Sequence, residues 1–98
     1  MTPEIAARLA ASEIQMAAEA KDYSLFVRGN CVALVQRADD RFTSIGSSGI
    51  LTENGLAYLV WIDGQAMLSS HGNQVAADDE QVEAIRGFSS TLKAALGL

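Results

Sequence analysis

Asn54-Gly55 and Asp63-Gly64 bracket the run Leu56 to Ile62, Leu-Ala-Tyr-Leu-Val-Trp-Ile, which contains no charged residue. Both dipeptides are strong short hairpin signals, because they accept the positive φ of a tight reversal between antiparallel strands. The enclosed run therefore reads as a strand. A strand with one face in water alternates apolar and polar residues, whereas one covered on both faces is apolar throughout. Any fold for this chain has to cover Leu56 to Ile62 twice.

The neighbouring residues extend this strand into a sheet. Tyr23 to Arg28 and Cys31 to Arg37 are rich in β-branched and apolar residues, and the Gly29-Asn30 pair between them suits a two-residue hairpin loop. Ala38-Asp39-Asp40-Arg41 is the next turn. Phe42 to Thr52 follows as a strand interrupted by Gly46 and by Ser47-Ser48-Gly49, where glycines suggest a bulge or bend. Gln65 to about Ser70 completes a five-strand meander, and His71-Gly72-Asn73 leads out of it.

A helix is expected at each end. Thr2 suits the N-cap, Pro3 the first helical position and Glu4 the first turn, and the helix is expected to run to about Ala20. Ile5, Leu9 and Met16 share a narrow arc of the wheel, and Ile14 projects almost opposite it, as exposure or as the edge of a second buried face. The final helix is capped by Asp78 or Asp79, with Gln81 placed for a capping box and Val82, Ile85, Phe88, Leu92 and Leu96 as its apolar stripe. Gly87 costs this helix on the order of 1 kcal/mol relative to alanine, which suits a close approach by a strand or a partner.

The expectation is thus one α+β domain over residues 1–98, an antiparallel meander of about five strands flanked by an N-terminal and a C-terminal helix. Its 49% hydrophobic and 19% charged residues set it apart from chains too polar to fold. Twelve acidic against seven basic residues give a net charge of -5, which repels phosphate backbones and anionic lipid and suits a basic protein partner. Cys31 is the single cysteine, so no intrachain disulfide forms. Met-Thr-Pro-Glu-Ile lacks the basic start and apolar stretch of a secretory signal, and no run is long and apolar enough to span a membrane. A cytoplasmic location is expected.

Residues able to carry chemistry are sparse. His71 is the single histidine, and its neighbour Ser70 projects to the opposite side of the same strand, a poor geometry for proton transfer. One cysteine and one histidine cannot furnish a zinc site. Asp78, Asp79, Glu80 and Glu83 lack the spacing and glycine of a calcium loop and fall where they would cap a helix and complement its dipole. Gly46-Ser47-Ser48-Gly49 has no Gly-Lys-Ser/Thr or helix start behind it, so it is no phosphate loop. Cys31 has no activating neighbour in sequence. Neither a catalytic set nor a cofactor or metal is expected, and the chain is read as non-enzymatic.

The aromatics are either core or interface anchors. Phe88 belongs to the core. Tyr58 and Trp61 point to opposite faces of their strand, and if both helices cover one face, a second subunit or a partner covers the other. Tyr58, Trp61 and the acidic group Asp78, Asp79, Glu80 and Glu83 are the candidate partner-binding residues.

Ser70 to Leu92 combines a strand end, a polar turn, an Ala-Asp-Asp helix start and an Ile-Arg-Gly-Phe core. Over about a quarter of the chain it resembles the ends of small acidic anti-CRISPR proteins of phages and mobile elements. The resemblance implies a protein that inhibits a partner by occupying a nucleic-acid-binding surface on a defence complex. Glu53-Asn54-Gly55 also resembles turns of the small acidic dimeric chaperones of type III secretion, which implies a homodimer. Those chaperones carry a further central helix, and the span from Arg37 to Leu56 is short for one. A small-ligand sensor with a pocket between sheet and helix is a third class of expectation.

Overall fold

The computed structural model describes residues 1–53 and 55–98. Two helices and a seven-stranded antiparallel sheet follow one another as α1 (Pro3–Ala11), β1 (Gln15–Glu19), β2 (Tyr23–Arg28), β3 (Cys31–Ala38), β4 (Arg41–Thr52), β5 (Gly55–Ile62), β6 (Gln65–Ser70), β7 (Asn73–Ala76) and α2 (Asp79–Leu96). Each strand pairs with the next in sequence, so the sheet is an uninterrupted meander. The α+β class and the flanking helices agree with the sequence reading, and the strand number is corrected from five to seven.

The additional strands lie at the two edges of the sheet, where the sequence reading placed the end of the first helix and the exit through His71-Gly72-Asn73. The first helix ends at Ala11, not near Ala20, and the chain turns back as β1, which carries Met16. Thr2 does cap the helix, accepting a hydrogen bond from the Ile5 amide at 3.2 Å. At the other end the Ile14 amide donates to the Leu9 carbonyl at 2.9 Å and the Glu13 amide to the Ala10 carbonyl at 3.1 Å, with Glu13 left-handed at φ 59°. This is a Schellman closure with a glutamate in the place usually held by glycine. The closure turns Ile14 inward to 4% exposure beside Leu9, so the residue that fitted poorly on a long helix is core.

At the far edge, His71 (φ 50°) and Gly72 (φ 82°) form a two-residue loop, and Ser70 pairs with Asn73 to begin β7. The segment expected to lead out of the sheet reverses into one more strand. The Gly29-Asn30 and Asp63-Gly64 hairpins stand where expected, closed by the pairs Arg28 with Cys31 and Ile62 with Gln65. Of the third reversal, Gly55 is already on β5 and pairs with Thr52, and Asn54 lies outside the described residues.

β4 is the irregular strand, as its glycines suggested. Gly46 and Ser47 together oppose the single residue Leu34, and Thr43 is a second extra residue, so both irregularities of the β3–β4 ladder lie on β4. Its last residues, Gly49 to Thr52, pair with β5, whereas Arg41 to Ser48 have no partner there. Leu59 to Ile62 of β5 in turn pair with β6 alone. The ladders diverge at Gly49, where a Cβ would stand 1.9 Å from the Ala57 carbonyl oxygen, so glycine is required by the close approach of the two backbones.

Paired residues share a face and successive residues alternate, so the faces follow from the register. Met16, Phe26, Ala33, Val35, Ile50, Ala57, Leu59 and Leu68 all lie on one face. They pack with Leu9 of α1 and with Ile85, Phe88, Leu92, Ala95 and Leu96 of α2 in two clusters. Phe88 and Leu92 are wholly buried, each worth roughly 1.5–3 kcal/mol relative to exposure. The Arg8 guanidinium donates to the Ala95 carbonyl at 2.8 Å, binding α1 to the last turn of α2. Both helices thus lie on the same side of the sheet. Gly87 faces away from it with nothing near its missing side chain, so no strand of this chain exploits the glycine.

A candidate interaction face

The side of the sheet turned away from the helices is apolar along its centre. Leu25 pairs with Leu34 and Val27 with Val32 on β2 and β3; Leu51 pairs with Leu56 where β4 meets β5; Val60 pairs with Met67 on β5 and β6. Tyr58 stands between Gly49 and Ser69 in the middle. No helix crosses this side among the described residues. Leu25, Val27, Leu34, Leu56, Tyr58, Val60 and Met67 are half-buried, and Leu51 and Ile62 are exposed. Val32 is the exception at 2% exposure. It pairs with Gly49, which is also buried. Contiguous apolar surface of this kind marks sites of association, whereas isolated exposed apolar residues do not.

The strand that the sequence required to be covered twice is therefore covered once. Ala57 and Leu59 of β5 meet α2, while Leu56, Tyr58, Val60 and Ile62 meet nothing from an α-helix.

Tyr58 and Trp61 are separated by the sheet. Trp61 belongs to the helix side, at the end where α2 no longer shelters it; it is 52% exposed, and the Arg86 guanidinium lies 4.9 Å above its ring. Stacking on a half-exposed ring contributes about 0.5–1 kcal/mol and holds Arg86 over the indole. Glu83, one turn before Arg86 on α2, lies near this end.

The acidic run has the local role its spacing indicates. The Asp78 carboxylate accepts from the Gln81 amide at 2.8 Å, and the Gln81 side chain accepts from the Asp78 amide at 3.0 Å, a complete capping box. Asp79 and Glu80 occupy the first turn, where negative charge complements the helix dipole. All four acids, Asp78, Asp79, Glu80 and Glu83, are exposed. They sit on the helix side with Trp61, away from Tyr58. The candidate residues thus divide into two surfaces: an acidic helix end with Trp61, and an uncharged sheet face around Tyr58.

Groups with chemical potential are dispersed. The Ser70 hydroxyl is buried with no hydrogen-bond partner, so it does not bond to His71, which occupies the exposed turn. Burial raises the Cys31 thiol above its ordinary pKa, against a smaller opposing effect of Arg28. The thiol points at the Ala84 carbonyl of α2, 3.7 Å away. Arg37 pairs with Glu19, holding that exposed carboxylate below its ordinary pKa, and donates to the Ala20 carbonyl at 2.7 Å, which fastens β1 to the sheet. Among the described residues, no three of His, Cys, Asp and Glu converge as metal ligands. None of their helices is long and apolar enough to cross a membrane.

Neither a protein-family model, nor a curated protein, nor a solved structure gives a significant match to this chain.

The feature sequence reasoning missed is the extent of the open face. The Gly29-Asn30 hairpin puts Leu25, Val27 and Leu34 on one face, but nothing local says which face the helices take. The alternation of small and large apolar residues along Cys31-Val-Ala-Leu34 is the available signal.

Proposed function

We propose that the chain is a non-enzymatic protein-binding regulator or inhibitor that acts by occupying a partner's surface, in the manner of an anti-CRISPR-type anti-defence protein. The observation that carries the protein-binding reading is the sheet with helices on one face only, whose other face is apolar and uncharged around Tyr58. Apolar surface of that extent is stabilised when another polypeptide removes it from water, at roughly 25 cal/mol per Å². The net charge of -5 and the exposed acids at the start of α2 favour a partner with a basic surface, because complementary charge steers encounter and sets orientation. A nucleic-acid-binding face of a defence complex has that character.

Retention of candidate nucleic-acid-binding complexes on the immobilised chain, across a salt series, tests this reading. The expected result is capture at low salt that weakens as salt rises, and that falls at least about tenfold when Asp79, Glu80 and Glu83 are all changed to Lys. Salt-independent retention, or none, contradicts a basic partner. The same open face also supports a second reading, a homodimeric chaperone or regulatory subunit, in which the cover is a symmetry mate.

A further inference from the structure

We infer that the free edge of β7 is a docking site for an extended, basic segment of the partner, which joins the sheet as a further strand antiparallel to β7. The inference rests on the reading that the partner is a basic protein, and it names how part of that partner is held. β7 is the last strand of the meander, so it has a neighbouring strand on one side only. Its residues, Asn73 to Ala76, are all exposed and carry no charge. The Ala77 amide donates to the Ala66 carbonyl at 3.0 Å, continuing the register of the β6–β7 ladder. Antiparallel pairs alternate between hydrogen-bonded and open, which turns the amides and carbonyls of Gln74 and Ala76 away from β6. Outward donors and acceptors that recur about every 7 Å along an edge match another extended backbone.

The opposite edge is guarded and this one is not. β1 is interrupted by the extra residue Ala17 and ends at the Glu19–Arg37 ion pair, features that hinder strand addition. β7 has neither bulge, proline nor charge. Val75 is 65% exposed although Leu68, its partner on β6, is buried. A strand beside β7 covers Val75 on the helix side, where a cleft of about 370 Å³ lined by Ile50, Leu68, Ser70, Asn73, Val75 and Gln81 receives its side chains.

Charge sets the sign of the occupant. Asp78 follows Ala76 by two residues, which places it within about 7 Å of the strand end. Asp79 and Glu80 stand exposed in the helical turn that follows. Lys or Arg flanking an apolar segment meets these acids at the rim, whereas a second copy of this chain brings its own net charge of -5.

Amide hydrogen exchange of the full chain, followed by NMR, tests the inference with the terminally capped peptide Lys-Thr-Val-Thr-Val-Thr-Lys as probe, up to about 1 mM. When it is extended beside β7, its lysines and valines share the face of Val75 and its threonines that of Gln74 and Ala76, so the threonine amides turn to β7. Exchange at Gln74 and Ala76 is expected to slow at least about tenfold, and not to slow with the peptide N-methylated at its threonines. Glutamate in place of lysine is expected to weaken binding at least about tenfold. Gln74→Pro removes an outward amide without touching the β6 ladder, so it is expected to keep the far-UV circular dichroism of the wild type and to lose the peptide. The methylated peptide tests the same contact on the wild-type fold. Unchanged exchange at both amides overturns the inference, as does equal protection by the methylated or the glutamate peptide, or full binding by a folded Gln74→Pro chain. Protection by raised protein concentration alone would put a second copy at this edge and also overturns it. Capture of basic complexes that Gln74→Pro retains in full would overturn the edge alone; peptide binding by a chain that captures none would overturn the basic-partner reading alone.

Discussion

Gly49 shows how one residue decides the course of a sheet. Its neighbours Val32 and Tyr58 flank it across the ladders, and the space a methyl group would take is already filled by the Ala57 carbonyl and the Tyr58 Cα, at 1.9 and 2.7 Å. Gly49→Ala is therefore expected to force β4 and β5 apart and to destabilise the fold by at least about 1–3 kcal/mol, the usual range for overpacking, read as a lower midpoint in urea. An unchanged midpoint would show that the strands part freely here. Ser47-Ser48-Gly49 was legible as a bulge or bend because glycine inside a strand is costly unless something needs the space. What needs it is the neighbouring backbone, a fact that sequence spacing alone does not carry.

At the scale of elements, the two helix ends explain which boundaries could be read. α2 ends on Gly97 at φ 74°, with the Leu98 amide donating to the Lys93 carbonyl at 3.0 Å, a closure that glycine makes without strain. α1 closes in the same way through Glu13, and the run of alanines beyond it has every local reason to remain helical. Tertiary structure overrides that propensity: the early stop buries Ile14 and lets Met16 pair with Phe26 on β2. Local propensity therefore carries the first helix too far and hides β1, while the side chains alone make the acidic cap of α2 legible, with Gln81 at the correct spacing. Glu13→Gly removes the strain of a left-handed glutamate and is expected to raise stability by up to about 1 kcal/mol, measured as a higher melting temperature. A lower one would mean that the glutamate contributes more than its backbone costs.

At the scale of the whole molecule, the sequence was right that Leu56 to Ile62 has two apolar faces and silent on how they are used. It carried the charge balance and the meander, but the side taken by each helix depends on the true end of α1 and on the irregular register of β4. The sequence left open whether Tyr58 or Trp61 marks the uncovered face; those placements put Trp61 beside α2 and Tyr58 on the helix-free side, together with Leu25, Val27 and Leu34. The outcome is a sheet with both helices on one side and an apolar, uncharged centre on the other.

The most direct test is the reaction rate of a thiol reagent with Val60→Cys as protein concentration rises, with Lys93→Cys on the exposed side of α2 as the reference. The native Cys31 is buried with a raised pKa and reacts slowly against either. Protection at position 60 that grows with concentration, at a constant rate for position 93, is the result expected if protein covers this face, as in the homodimeric reading. Equal, concentration-independent rates at both positions would contradict it.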